Sequence, residues 1–296
     1  MLTRRSFLTA VTSITVAPSL LLAQEEEGEY LKNLFRQFDP LQIAKNERSD
    51  VFTRNIQFAG VKLKCLMDIS PSITAEEYQL QKIGTARALR SDRVKTAISQ
   101  QGSIIFSLSE FSWMATHRIP WAVLQSNEDI EFVSHLIETM PKNPIRYGTG
   151  LSFGIDSCRQ HFQQSNIPVE KYVLDISGDG GGNQISSIHT TISAEAVRSS
   201  SLACANQGIV CNGITLPTDT YSNLPPNTSS VADYYREYVR TPANFSYTDQ
   251  YGGTSYTQEG FVIEDNSWEA FEEAMTEKLR LEIMGSLPSP QRLRFG

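Results

Sequence analysis

The chain has 296 residues, of which 40% are hydrophobic, 20% charged and 9% aromatic. This composition excludes a disordered or collagen-like protein, and the length is enough for two average domains or for one large α/β domain. The 33 acidic residues outnumber the 26 lysines and arginines, and the formal net charge of −7 argues against binding to nucleic acid. Four cysteines are too few for a scaffold built on disulfides.

The first 23 residues have the pattern of an export signal. Arg4 and Arg5 precede a weakly hydrophobic stretch that continues to Ala23, and two adjacent arginines in this place resemble the twin-arginine signal of bacteria. We therefore predict a signal peptide over residues 1–23 and a periplasmic or secreted bacterial protein with no membrane span after cleavage. The alternative is an uncleaved N-terminal anchor. No other apolar stretch of the chain has the length of a membrane-spanning helix.

The rest of the chain divides by composition into three parts. Residues 24–59 begin with three glutamates and are predicted to be an acidic leader with an N-terminal extension. Residues 60–285 contain no internal repeat and no linker, which favours one domain. Residues 286–296 contain two prolines and are predicted to be a flexible tail.

Strands and helices alternate from residue 60 onward. Thr74 and Glu77 have the spacing of a helix capping box, and apolar residues at helical or strand periodicity mark the other elements. Such alternation predicts an α/β protein with a doubly wound, mainly parallel sheet flanked by helices. Strands are predicted over residues 61–67, 104–108, 121–124, 172–176, 209–214 and 261–263, and helices over residues 74–101, 129–140, 151–162, 194–207 and 268–279.

Five oxygen-bearing side chains lie where the predicted elements begin or end. Asp68, Ser70 and Ser72 follow the first strand, Thr149 precedes a helix, and Asp179 follows the fourth strand. The carboxyl ends of parallel strands meet at one edge of a sheet, so these side chains are expected to converge although they are far apart in sequence. Two carboxylates and three hydroxyls suit Mg²⁺, Mn²⁺ or Ca²⁺ and are a poor set for zinc.

These residues resemble the metal-ion-dependent adhesion site (MIDAS) of the von Willebrand factor A (vWA) domain. That family uses an Asp-x-Ser-x-Ser loop, a distant threonine and a second aspartate after a strand, and the resemblance over about residues 60–285 implies a Rossmann-like vWA fold. More narrowly, the chain is similar to an uncharacterised family of exported bacterial vWA-like proteins, a domain of unknown function. Three phrases carry this narrower similarity: DISGDG at 175–180, GIVCNG at 208–213 and YYREYV at 234–239.

The resemblance implies a divalent-cation site with assigned roles. Ser70 and Ser72 would ligate the metal directly, Thr149 directly or through water, and Asp68 and Asp179 would supply charge partly through waters. Mg²⁺ is the expected cation, with Mn²⁺ or Ca²⁺ as alternatives. One coordination position would stay open for an Asp or Glu carboxylate of a protein partner. The implied function is cation-dependent protein binding of the adhesion type, and no catalytic constellation accompanies it.

Two other functions stay open at this stage. A metal-assisted phosphoester hydrolase could use Asp68 and Asp179, although no second carboxylate cluster or poised histidine accompanies them. The chain could also have a structural vWA fold with a vacant site, because each residue has an ordinary explanation as a strand end, helix cap or Asp-Gly turn. Pro71 also fixes φ and removes an N–H inside the metal loop.

The other polar residues that could carry chemistry are predicted to be structural. The four histidines share no metal-ligand spacing and are predicted to lie at the surface or at caps. Glu110 follows the second strand and is predicted to be exposed, with a place behind the metal ligands as the alternative. Cys65, Cys158, Cys204 and Cys211 are predicted to be buried thiols, although export permits disulfides.

Tyrosines are concentrated late in the chain. Seven of the eleven lie between Tyr221 and Tyr256, after a predicted strand. Tyrosine suits binding surfaces because it buries a large area with few rotatable bonds. One interpretation is a partner-recognition rim beside the metal edge. The other, weighted equally, is a short helix over residues 232–240 whose tyrosines pack on the domain.

Overall fold

The structure describes most of the predicted domain of residues 60–285. In the described part of the chain, no helix has both the length and the hydrophobicity needed to cross a membrane. The predicted signal peptide lies outside the described residues, as do most of the predicted leader and the start of the predicted tail. The computed structural model describes residue 48 and residues 50–143, 148–164, 167–182, 190–217, 224–226, 228–248, 253–265, 267–285 and 294–295.

The described strands form one large sheet and a separate hairpin. The strands are β1 (Ala59–Asp68), β2 (Ile104–Phe111), β3 (Ala115–Leu124), β4 (Val169–Gly178), β5 (Ile209–Thr215), β6 (Phe245–Thr248), β7 (Thr254–Thr257), β8 (Val262–Asp265) and β9 (Arg294–Phe295). The order across the large sheet is β3-β2-β1-β4-β5-β8-β9, and β6 pairs with β7. Neighbours in the large sheet are parallel except for β2 and β3.

Helices cover both faces of the large sheet. They are α1 (Asp50–Thr53), α2 (Ala75–Arg90), α3 (Asp92–Gln100), α4 (Asn127–Thr139), α5 (Leu151–Phe162), α6 (Thr190–Ala205), α7 (Val231–Tyr234), a π-helix (Tyr235–Val239) and α8 (Phe271–Met284). Apolar residues of α2, α3, α4 and α8 share one buried cluster, and those of α5, α6, α7 and the π-helix share a second. The two clusters lie on opposite faces of the sheet.

The central strand β1 is buried along its whole length. Its side chains alternate between the two faces, so Leu63 and Met67 join the cluster beneath α2 and α8, whereas Leu66 joins the cluster beneath α5. A parallel strand that is covered on both faces is typical of doubly wound α/β proteins. The predicted fold class is therefore confirmed.

Three elements go beyond the sequence prediction. The strand predicted at residues 121–124 is the end of β3, which pairs antiparallel with β2 at the sheet edge. The helix after Thr74 is two helices, because Ser91 has an extended backbone and caps α3 with its hydroxyl. Within the predicted tail, Arg294 and Phe295 pair with β8 as the last strand.

The end of the predicted N-terminal extension packs against the domain. Val51 of α1 is buried in the cluster beneath α2 and α8. The Arg54 guanidinium donates to Asp129 Oδ2 at 2.7 Å, and the same carboxylate accepts from the N–H groups of Gln125 and Ser126 at the start of α4. These contacts fix the segment that leads into β1.

The cysteines are buried thiols, as predicted. Cys65, Cys158, Cys204 and Cys211 are all buried and unpaired. Burial raises the pKa of Cys158 to about 11, so this thiol stays protonated and chemically inert at neutral pH. The four residues therefore contribute to packing between the sheet and its helices.

Two lysines of β1 are buried on the α5 face. Lys62 and Lys64 are both 0% exposed. Lys62 Nζ donates to Phe162 O at 2.6 Å, and Lys64 Nζ lies 2.9 Å from both Ser107 Oγ and His161 Nδ1. His161 is itself buried, so the prediction that it lies at the surface or at a cap is wrong. Lys64 needs a buried acceptor, and the imidazole provides one.

The surroundings of these lysines disfavour positive charge. Burial lowers the pKa of Lys62 and of Lys64 to about 8, and burial followed by the charge on Lys64 lowers the pKa of His161 to about 2. In the unfolded chain, lysine has a pKa of about 10.4 and keeps its proton up to about that pH. Between these two pKa values the unfolded chain binds more protons than the folded one, so the stability contributed by Lys64 rises with pH.

We expect Lys64→Met to remove this part of the pH dependence. The free energy of unfolding would be measured in urea at about pH 7.5 and about pH 10, where the wild type should gain up to about 3 kcal/mol relative to the variant. The control is Lys95→Met, which removes a partly exposed lysine paired with Glu131 at 2.7 Å and should leave the slope unchanged. Equal pH slopes for the wild type and Lys64→Met would contradict the prediction.

Candidate metal centre

The carboxyl ends of β1, β2 and β4 form the edge that carries the predicted ligands. Met67 lies opposite Ser177 in the β1–β4 pair, and Asp68 lies opposite Phe111 in the β1–β2 pair. The Ile69 N–H donates to Phe111 O at 2.9 Å, which extends the pairing beyond Asp68. The serine-bearing loop therefore leaves the sheet between β2 and β4.

Hydrogen bonds join four of the five predicted ligands. The Ser70 N–H donates to Asp68 Oδ1 at 2.7 Å, and the Ser70 and Ser72 hydroxyls are 2.9 Å apart. The Ser72 hydroxyl donates to Asp179 Oδ1 at 3.0 Å. This series of contacts crosses from the loop after β1 to the end of β4, so Ser72 and Asp179, which are 107 positions apart in the chain, face one small volume.

Thr149 lies on a turn at the same edge. The Gly150 N–H donates to Ser112 O, directly after β2, and a Cβ at position 150 would overlap Trp113 O. Only glycine lets the turn approach the end of β2 so closely. Thr149 is thereby held beside the strand that neighbours β1. Within the described residues, no hydrogen bond joins its side chain to the other four ligands.

A buried glutamine joins the two strand ends behind the site. Gln81 of α2 donates from Nε2 to Asp68 O at 3.0 Å and accepts at Oε1 from the Ser177 hydroxyl at 2.7 Å. The predicted capping box of Thr74 and Glu77 is present at the start of the same helix. The helix that follows the serine loop therefore also holds together the two strands that flank the site.

Both candidate carboxylates are buried. Asp68 is 1% exposed and Asp179 is 7% exposed. Burial raises the pKa of Asp179, a hydrogen bond from Ser72 opposes this, and the nearby Glu77 carboxylate raises the pKa further. In the part of the chain that the structure describes, no basic side chain forms an ion pair with Asp179. A buried carboxylate calls for a compensating positive charge, and a coordinated cation supplies one.

Tyr235 lies beside the candidate site and was missed by the sequence analysis. It is the first residue of the π-helix and is 0% exposed. Its ring occupies a slot over two strands, because a Cβ at Gly213 of β5 would overlap the ring and a Cβ at Gly178 of β4 would overlap the hydroxyl. The sequence signal that could have indicated this contact is the pair of glycines within strands, because a glycine there often marks the close approach of another group.

The donor set fits a hard divalent cation. Asp68, Ser70, Ser72 and Asp179 present only oxygen atoms, which Mg²⁺, Mn²⁺ and Ca²⁺ prefer. The buried Tyr235 hydroxyl has no hydrogen-bond partner among the described residues, and such an orphaned polar group indicates a site completed by something further. These four ligands would hold the cation, with Thr149 approaching from the turn.

Glu110 is structural, and the prediction that it is exposed is wrong. The side chain is 0% exposed. Oε1 accepts from the Tyr78 hydroxyl at 2.6 Å and Oε2 accepts from the Arg118 guanidinium at 2.5 Å. The arginine of the antiparallel edge strand compensates the buried charge, and the carboxylate joins α2 to β2 and β3.

The first part of the tyrosine-rich segment packs on the domain. Tyr234 and Tyr235 are buried, and the Tyr234 hydroxyl accepts from the Gly182 N–H at 3.1 Å. This agrees with the interpretation of a short helix over residues 232–240. Tyr221 lies outside the described residues.

The β6–β7 hairpin lies at the opposite edge of the sheet. The Tyr247 ring packs against Gly208, which precedes β5, and the Thr257 hydroxyl donates to Ala205 O at 2.7 Å, at the end of α6. Both contacts are at the amino ends of strands, whereas the candidate site is at their carboxyl ends. The predicted rim beside the metal edge is therefore wrong for this hairpin, because the chain crosses the sheet after the π-helix.

Comparison with known sequences gives one family. A family described as a protein of unknown function, DUF1194, matches residues 59–287, from the start of β1 to just beyond α8. No protein of curated function shows significant sequence similarity to the chain. The match therefore covers the domain from β1 to α8, and the description of the family assigns no activity.

Solved structures share the fold at low sequence identity. The pilus adhesin SpaC from Lactobacillus rhamnosus GG is 10% identical, with 78% of this chain and 31% of that chain covered and a TM-score of 0.50. A von Willebrand factor type A protein from Catenulispora acidiphila is 12% identical, covering 77% and 43%, with a TM-score of 0.48. BatB from Bacteroides thetaiotaomicron is 16% identical, covering 77% and 100%, with a TM-score of 0.44. The chain spans less than half of the first two proteins, and it shares its α/β fold with SpaC.

We expect Gly178→Ala to destabilise the protein through Tyr235. The added methyl group overlaps the tyrosine hydroxyl, and overpacking of this kind costs about 1–3 kcal/mol. Adding Tyr235→Phe removes the overlapping oxygen, so the double variant should recover much of the melting temperature that the single variant loses.

The matched control for this experiment is Gly213→Ala. Its methyl group overlaps a ring carbon of Tyr235 that phenylalanine retains, so Tyr235→Phe should not rescue it. Thermal unfolding of the single and double variants measures both effects, and equal rescue of the two alanine variants would contradict the packing described here.

Proposed function

Because the chain belongs to DUF1194, a family of proteins of unknown function, and shares its fold with a pilus adhesin, we propose that it is a cation-dependent binding module of the vWA type. It would bind a divalent cation at the carboxyl edge of its sheet and, through that cation, an acidic group on a protein partner. Asp179 carries the proposal: this carboxylate is buried, it has no basic ion-pair partner among the described residues, and a hydrogen bond connects it to Ser72.

The chemistry of the ligands supports Mg²⁺ as the first choice. Ser70 and Ser72 offer neutral hydroxyl oxygens, whereas Asp68 and Asp179 offer the charge of two buried carboxylates. A site with few direct anionic ligands leaves the bound cation electrophilic, so that it attracts a further carboxylate. Thr149 would contribute its hydroxyl from the turn next to β2.

Access to the site supports a binding role. Ser72 is exposed while the other three hydrogen-bonded ligands are buried, so the site opens to solvent on one side. A partner carboxylate could approach there without a rearrangement of the sheet. Among the described residues, no group of three or more histidine, cysteine, aspartate or glutamate side chains is placed to hold a second metal ion, and the proposal does not include catalysis.

Export is part of the same proposal. The paired arginines Arg4 and Arg5 and the stretch up to Ala23 support a twin-arginine signal and a periplasmic or secreted protein. SpaC, which shares the fold, is a pilus adhesin, and an extracytoplasmic binding module is compatible with that precedent.

Calorimetric titration with Mg²⁺, Mn²⁺, Ca²⁺ and Zn²⁺ tests the cation site. We expect the wild type to bind Mg²⁺ or Mn²⁺, and Asp179→Asn and Asp68→Ala to weaken binding by more than about tenfold, because each removes a charged group of the site. A chelator should reverse any rise in melting temperature that the cation causes.

Asp92→Asn is the matched control, since Asp92 is an exposed aspartate at the start of α3 and its replacement should leave the affinity unchanged. Absence of cation binding by the wild type at millimolar concentration would refute the proposal. Cation binding accompanied by turnover of a simple phosphodiester would favour the hydrolase instead.

Affinity capture tests the partner. Purified protein used as bait in a periplasmic extract should retain a partner in Mg²⁺ and release it when a chelator is added. Asp179→Asn bait should retain none in either buffer, because the partner carboxylate binds only through the cation. Retention that is insensitive to both the chelator and the substitution would show that binding occurs elsewhere on the domain.

A further inference from the structure

The π-helix places one tyrosine hydroxyl against the candidate site. Tyr235 begins this helix, directly after α7, and a Cβ built on Gly178 would overlap its hydroxyl while lying 3.0 Å from Asp68 Oδ2. The hydroxyl and the carboxylate oxygen therefore face the same point above β4. π-Helical turns are rare and occur frequently at functional sites.

The fold makes room for this side chain at two strands. Gly178 ends β4 and Gly213 lies within β5, and neither position could carry a Cβ without overlapping Tyr235. Glycine inside a strand weakens the strand, because its backbone loses more conformational freedom on folding and it has no side chain to pack. Two neighbouring strands thus carry glycine at the positions that face one tyrosine.

The environment of the hydroxyl is acidic and dry. Tyr235 is 0% exposed, and its hydroxyl has no hydrogen-bond partner among the described residues. Burial raises the pKa of Tyr235 well above its usual value, and the carboxylates of Asp68, Asp179 and Asp175 raise it further. The phenol is therefore a protonated donor in the neighbourhood of carboxylates, of which Asp68 Oδ2 faces the same point above β4. Burying a hydroxyl without a hydrogen-bond partner carries a desolvation cost that phenylalanine would avoid.

We propose that Tyr235 is a positioning residue of the cation site, whose hydroxyl donates a hydrogen bond to the Asp68 carboxylate when a cation is bound. This inference rests on the proposed function. Groups that hydrogen-bond to metal ligands orient them, and their loss typically weakens metal binding by about 10- to 100-fold. The hydroxyl would fix the Asp68 oxygen that faces β4, while the Ser70 N–H fixes the other oxygen at 2.7 Å.

Tyr235→Phe separates this role from simple packing. The variant keeps the ring in its slot and removes only the oxygen, so without added cation its melting temperature should equal or exceed that of the wild type. Its dissociation constant for Mg²⁺ or Mn²⁺, measured by calorimetry, should rise by about 10- to 100-fold. Tyr238→Phe is the matched control, because Tyr238 lies in the same π-helix and is partly buried; its affinity should match the wild type.

A spectroscopic signal gives a second readout. Addition of Mg²⁺ to the wild type should perturb the near-ultraviolet absorption of a buried tyrosine, and this difference spectrum should persist in Tyr238→Phe and disappear in Tyr235→Phe. Cation binding by Tyr235→Phe with wild-type affinity would overturn the inference and leave the proposed function intact. A wild type that binds no cation would overturn both.

Discussion

The parallel pairing of β1 with β4 is the constraint on which the candidate site depends. It places Met67 opposite Ser177, so that the next residues along both strands leave the sheet side by side. Asp68 and Asp179 become neighbours only through this pairing, since more than 100 residues separate them along the chain. Gln81 reinforces it with one hydrogen bond to each strand end. The ligand loop, the capped helix behind it and the carboxylates therefore form one packed unit.

Most strands of the large sheet, most of the flanking helices and the convergence of four candidate ligands could be predicted, because each depends on local pattern and on one topological rule. Apolar runs identified β1, β4 and β5, and the capping box identified the start of α2. The rule that parallel strands end at a common edge then brought Asp68 and Asp179 together. It applies to strand ends alone, and so it says less about Thr149, whose position depends on how closely Gly150 approaches β2.

What could not be predicted depends on partners that are distant in sequence. The lysines of β1 are charged residues in an alternating strand, a pattern that normally indicates a face in water; α5 covers that face and supplies His161. Glu110 is buried because Arg118 arrives on an antiparallel strand that periodicity does not reveal. Tyr235 reaches the site because two glycines leave space for it. In each case the burial of the residue depends on a distant part of the chain, which either supplies a polar partner or, at the two glycines, leaves space by having no side chain.

A comparison within β4 shows why the lack of a basic partner for Asp179 is informative. Asp175, 1% exposed, forms a buried ion pair with Lys278 of α8, which also donates to Glu282 at 2.7 Å. The fold thus provides an internal cation for one buried aspartate of this strand. Four residues further on, Asp179 is almost as buried, yet its described neighbours are the Ser72 hydroxyl and the Glu77 carboxylate. An uncompensated buried carboxylate destabilises a protein, and the cation proposed for this edge of the sheet would compensate Asp179 as Lys278 compensates Asp175.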